Sequence, residues 1–258
     1  MYKGTYDGDI DEKKFVAKFN SDKNQFKDYL SHFSQYKNLW MIRVTTKQMS
    51  NLSGKKVFTR SDCYLVSINA DINTLLEEYD YYLSEEILDK KEIKYNKIPY
   101  SGVSVKMTTS KSFQILKIGP TSFNSLFNSY ELGAGASLFC MKQNELDKIP
   151  DLIKGWKTSI ERMVIYFNEF TQENYQFYLD KEICKAIKNY SCMEIKRMID
   201  NSTDLQKKIF NGIGLYAEPY TAWYFYHGSK LSKLTTLPFK VTTGSGRSKG
   251  DYTIVLKP

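Results

Sequence analysis

The stretch VFTRSDCYLVSI, residues 57–68, decides the fold. It is rich in β-branched and aromatic residues and reads as a strand from Val57 to Ile68, with one carboxylate, Asp62, set into an otherwise apolar run. A carboxylate in that position is costly unless a metal or a cation satisfies it. A second stretch, GVSVKM at residues 102–107, reads as another strand. Its Val103, Val105 and Met107 project to one face, and its Ser104 and Lys106 to the other. If the two strands pair, Asp62, Ser104 and Lys106 converge on one point. A carboxylate and a lysine meeting at a sheet edge suit metal-dependent phosphodiester hydrolysis. The carboxylate and a nearby carbonyl hold Mg²⁺, and the ammonium orients water and balances the growing charge.

Outward from this pair, LWMIRVTT predicts a strand over Leu39 to Thr45. The apolar spacing of Phe15, Val16, Phe19, Phe26, Tyr29 and Leu30 predicts a helix from Asp9 to Leu30, broken near Asn20 to Asn24, which puts Glu12 in a first helical turn. The segment Asp71 to Lys90 reads as helical or looped and carries the acidic residues Glu77, Glu78, Glu85 and Glu86. SFQILKI predicts a strand from Phe113 to Ile118 next to GVSVKM, with Gln114 and Lys117 as a possible extension of the polar site. Beyond Pro120 the pattern turns helical: SFNSLFNSY, a small-residue stretch ELGAGASLF suited to close packing, and three amphipathic segments at 151–170, 172–190 and 191–210. From Tyr220 onward WYFYHG, LTTLPFKVTT and DYTIVLK are strand candidates, the last two joined by the loop GSGRSKG.

The expected fold class is therefore α/β (α+β), a central mixed sheet flanked by helices, with a helical middle and a β-rich C-terminal region. A chain of 258 residues with 41% hydrophobic and 26% charged residues has the composition of a globular protein that buries a core without staples. A single domain is expected over 1–258: a core at about 9–127, a helical region at about 148–211 and a basic β region at about 220–258. Cys63, Cys140, Cys184 and Cys192 are scattered without a CxxC pair, which argues against structural zinc. With only His32 and His227 to supply imidazole, any hydrolysis should run on carboxylates and lysine. No apolar run is long enough to span a bilayer, so no membrane and a cytoplasmic location are expected.

Net charge is +8, and the surplus is uneven. Residues 228–258 hold Lys230, Lys233, Lys240, Arg247, Lys249 and Lys257 against Asp251 alone. A basic excess interleaved with Tyr and Thr suits a polyanion, because neutralising phosphates releases counterions.

The order of Glu12 on a first helix, Asp62 in Arg60-Ser61-Asp62-Cys63-Tyr64-Leu65-Val66, and then Gly102-Val103-Ser104-Val105-Lys106 resembles the PD-(D/E)xK nuclease superfamily. Within it, SGVSVKMTTSKSFQILKIGPTSF resembles type II restriction endonucleases with a Ser-x-Lys third motif. The resemblance spans roughly residues 9–127. It implies Mg²⁺-dependent cleavage of double-stranded DNA to 5′-phosphate and 3′-hydroxyl ends. Asp62, the Val105 carbonyl and Glu12 would bind the metal, and Lys106 would position or deprotonate the nucleophile. A palindromic site would call for a homodimer. Base reading would fall to Arg247, with Lys249 and Lys240 on phosphates and Lys233 and Lys230 adding positive charge. Ser104 departs from the usual Asp or Glu of the superfamily, leaving Glu12 or an acidic residue of 77–92 to substitute.

A structural reading of the same residues stays open. Asp62 could pair with Arg43 or Arg60, Lys106 could line a sheet edge, and Glu12 could be favoured by the helix dipole. A non-catalytic DNA- or RNA-binding protein using the basic C-terminal region is the alternative function.

Overall fold

A computed structural model describes residues 3–45, 60–106, 114–138, 146–235, 237–243 and 254–257. Its strands are β1 (Leu39–Arg43), β2 (Cys63–Ser67), β3 (Asn96–Lys97), β4 (Val103–Val105), β5 (Leu116–Ile118), β6 (Tyr224–His227), β7 (Lys230–Lys233), β8 (Lys240–Thr243) and β9 (Ile254–Lys257). The helices that matter here are α1 (Lys3–Ser21), α2 (Lys27–Ser31), α3 (Asn73–Glu78), α4 (Glu85–Lys90), α5 (Pro120–Phe127), α6 (Tyr130–Ser137), α7 (Ile149–Gly155), α8 (Ile160–Tyr166), α9 (Asn168–Thr171) and α10 (Lys181–Asp200). The chain is mixed α/β, with helices flanking a mixed sheet. It divides into two compact units, Met1–Phe113 with Lys207–Thr236, and Gln114–Gln206 with Leu237–Pro258. Among the described residues no helix is long and apolar enough to cross a membrane.

The first unit carries a six-stranded sheet in the order β1-β2-β4-β6-β7, with β3 added to β2. β4 and β6 run parallel, and the other pairs are antiparallel. Alternation along the strands makes the sheet two-sided. Met41, Cys63, Leu65, Val103, Val105, Tyr224 and Tyr226 pack against Phe15, Phe19, Phe26 and Tyr29 of the N-terminal helices. Ile42, Tyr64 and Val66 pack on the other side with Leu75, Leu76, Leu83 and Leu88. The helical break expected near Asn20 to Asn24 is present: α1 ends at Ser21, Asp22 caps a short 3-10 turn by accepting from the Asn24 N–H, and α2 follows.

Glu12 is not in a first turn, because α1 begins at Lys3 and places it mid-helix. Asp9 is likewise inside α1, where it pairs with Lys13 one turn on.

The second unit holds the antiparallel sheet β5-β9-β8 and the remaining helices. α6 is buried from Glu131 to Ser137, and its small residues allow this: a Cβ on Gly133 would stand 2.2 Å from the Trp156 ring and one on Gly135 2.4 Å from Ser191 Oγ. The segment 151–170, expected as one helix, is broken. Lys157 takes a left-handed conformation after α7, and Ser159 starts α8 by accepting from the Arg162 N–H. Gln172 and Glu173, also left-handed, end α9, and Asp180 caps α10, which then runs unbroken through the boundary expected at residue 191.

β5 corrects a further expectation. It pairs with β9, Lys117 opposite Val255, and not with β4, whose neighbours are β2 and β6. Gln114 and Lys117 therefore belong to the second unit and do not extend the Asp62 site within its own sheet.

Candidate active site

Cys63 opens β2 opposite Val103 of β4. One residue earlier the Asp62 N–H still donates to the Val103 carbonyl (2.8 Å), while its own carbonyl accepts from Val44 N–H (3.0 Å). Before Asp62 the chain leaves β4: the N–H groups of Arg60 and Ser61 both turn to the Tyr220 carbonyl, and Ser61 Oγ donates to the Pro219 carbonyl. This departure leaves the edge of β4 beyond Val103 without a backbone partner from β2, and the Asp62 side chain takes that place. Its Oδ2 accepts from the Val105 N–H (2.6 Å) and from Ser104 Oγ (3.2 Å), and Lys106 Nζ stands 3.8 Å from the same oxygen. The structure thus brings Asp62, Ser104 and Lys106 together.

N–H and C=O of one strand residue point to the same edge, so the Val105 carbonyl is directed to the Asp62 side. Lys106 N–H, one residue on, donates to Tyr226 of β6. Gly102 makes this approach possible: a Cβ there would lie 1.9 Å from the Thr221 carbonyl and 2.8 Å from Ser61 Cβ.

Glu12 reaches the same region from α1, on the side of the sheet opposite to Ser104 and Lys106. Its Oε2 accepts from Arg43 Nε (2.8 Å), and Arg43 also binds Asp9. Burial and the negative charge of Asp62 push the Glu12 carboxyl up to about 7, against the opposing pull of Arg43. Arg43 pairs with Glu12 and Asp9, where the structural alternative offers it or Arg60 as a partner for Asp62. Its signal was visible, since it is the lone charge in the apolar strand LWMIR.

The donor set can be tested against Mg²⁺. Among the described residues no three His, Cys, Asp or Glu side chains gather as a ready-made metal cluster. Mg²⁺ does not require one, being held by one or two carboxylates while keeping several waters. Asp62 and the Val105 carbonyl on one edge, with a second carboxylate whose proton affinity is raised by Asp62, form a hard-oxygen set that a divalent cation would relieve. These are oxygen donors of the type Mg²⁺ takes. Two residues of the acidic segment are engaged elsewhere: Glu78 pairs with Lys91 (2.8 Å) and the buried Glu85 with Lys97 (3.0 Å).

The basic residues divide between the units. Lys230 and Lys233 lie exposed on β7 in the first, and Lys240 lies exposed on β8 in the second. Arg247 and Lys249 fall outside the described residues.

Comparison of the chain with protein-family models, with curated proteins and with solved structures finds no match.

Proposed function

We propose that the chain is a Mg²⁺-dependent endonuclease that hydrolyses phosphodiester bonds of double-stranded DNA to 5′-phosphate and 3′-hydroxyl ends, in the manner of a type II restriction enzyme. One observation carries the reading: a single carboxylate oxygen, Asp62 Oδ2, meets a serine hydroxyl, a backbone N–H and a lysine ammonium from three consecutive residues of the neighbouring strand. A residue needed only for stability would gain from a closer ion pair than 3.8 Å. A lysine held beside a carboxylate without being locked to it is free to serve a third group.

Asp62, the Val105 carbonyl and Glu12 would hold the ion, Glu12 turning from Arg43 to do so. Bound Mg²⁺ supplies positive charge to the phosphoryl oxygens as negative charge builds there. Ser104 and the Val105 N–H fix the Asp62 carboxylate. Lys106 orients the water that attacks phosphorus in line and balances the developing charge. The exposed lysines Lys230, Lys233 and Lys240, with Arg247 and Lys249, would contact DNA. A homodimer would present two such sites to a palindrome, and a cytoplasmic location suits this activity.

A specific observation favours a second reading. Glu12 is already satisfied by Arg43, and Ser104 stands where a second carboxylate is usual, so a DNA- or RNA-binding protein that does not cut is the alternative. Incubating the full chain with phage DNA, in Mg²⁺ and in EDTA, separates the two. Discrete Mg²⁺-dependent fragments support the nuclease; retarded but intact DNA in both buffers overturns it in favour of the binder.

A further inference from the structure

The first unit has a cavity of about 340 Å³ whose walls include His32, Tyr36, Tyr100, Trp223, Tyr224 and Lys233. Tyr224 belongs to the sheet face of Val103 and Val105, opposite to Ser104 and Lys106, so this cavity is not the Asp62 site. Three features mark it as more than packing.

Tyr100 is 57% exposed, yet it holds a left-handed backbone (φ 62°) that a bulky residue adopts only at a cost. One carboxylate braces it: Glu218 Oε2 accepts from the Tyr100 N–H (2.9 Å), and Glu218 Oε1 accepts from Trp223 Nε1 (2.8 Å). The two rings stand 5.3 Å apart at 86°, an edge-to-face corner on the cavity wall. Lys233 faces Tyr224 across the β6–β7 pair, is exposed, and pairs with no carboxylate among the described residues.

We infer that this cavity binds a nucleotide unit, with the base against the Tyr100–Trp223 corner and the phosphate on Lys233. Rings that present π faces take any base, and an unpaired ammonium beside them supplies the counter-charge that a phosphate needs. The volume lies within the range of small-molecule sites. A proline-rich peptide would also meet aromatic walls, but it offers nothing to Lys233. The nucleotide can come from a nucleic-acid strand or from a free mononucleotide. Only the first of these sources rests on the proposed function.

The test is quenching of tryptophan fluorescence in the full chain in EDTA, titrated with thymidine 5′-monophosphate, with single-stranded oligothymidylate, and with a proline-rich peptide. Saturable quenching by the oligomer alone supports the cavity with a strand as its source; equal quenching by the mononucleotide supports it with a free nucleotide. Tyr100→Asn, which keeps a residue tolerant of left-handed backbone, and Lys233→Ala should each weaken binding about tenfold, while Tyr100→Phe stays within about twofold of wild type. Asp62→Ala should leave every titration unchanged, so failure of the cutting site and failure of this cavity are separate results. No saturable quenching by either nucleotide, quenching by the peptide alone, or full binding by Tyr100→Asn and Lys233→Ala overturns the proposal.

Discussion

Replacing Glu12 by Gln should remove a pH dependence of stability that the wild-type chain carries. Burial and the charge of Asp62 lift the Glu12 carboxyl from its ordinary value of 4.5 to about 7 in the folded chain. Between those values the folded state binds a proton that the unfolded state has released, so stability falls as pH rises through the interval. At roughly 1.36 kcal/mol per pH unit the interval amounts to about 3 kcal/mol, present below about pH 4.5 and lost above about pH 7. Little discount for solvent is due, since the Glu12 side chain is only 22% exposed. Urea unfolding of wild type and Glu12→Gln at several pH values from 5 to 8 reads the effect directly. The wild-type minus variant difference should shrink by about 2.5 kcal/mol across that range, and millimolar Mg²⁺ at pH 8 should stabilise wild type more than the variant. Parallel pH profiles for the two proteins would refute the argument, and Glu12 would then be an ordinary partner of Arg43.

Two other substitutions probe the frame around the site. Arg43→Met leaves Glu12 and Asp9 without their shared cation and should destabilise the fold by on the order of 3 kcal/mol at pH 8, less at pH 5 where Glu12 is protonated; the same urea titrations check it. Gly102→Ala drives a methyl group to 1.9 Å from the Thr221 carbonyl and should cost at least about 2 kcal/mol or prevent folding, measured by thermal unfolding and by yield of soluble protein.

Much of the first sheet was legible because its strands carry local signals. Leu39–Arg43 is an apolar run between polar flanks, and Asp62 stands out because no apolar strand tolerates a carboxylate without a partner. Val57 to Thr59, expected as the start of β2, lie outside the described residues, and Arg60 to Asp62 are not strand because Tyr220 draws the chain away from β4.

What failed was non-local. β5 is three residues long, and nothing within LKI says that its partner is IVL near the C-terminus; pairing is settled by the buried face of β9. The helical breaks at Lys157, Gln172 and Glu173 lacked glycine, the residue that usually marks a left-handed turn, and only the caps Ser159 and Asp180 betrayed them. β7 was missed since Lys-Leu-Ser-Lys is too polar to read as a strand; it is an edge, where lysines are expected. Glu12 was found by its place in a resemblance, but its engagement with Arg43 required the register of β1 against α1.

The most direct test of the proposed chemistry is cutting by Asp62→Ala and Lys106→Ala, each assayed beside wild type on the same DNA in Mg²⁺, with DNA binding measured in Ca²⁺. On the proposed mechanism both residues would act on the reacting phosphate and not on the bases, so each variant should cut more slowly by orders of magnitude while its affinity in Ca²⁺ stays close to wild type. Near-normal cutting by either variant would contradict the assignment of Asp62 and Lys106 as the catalytic pair.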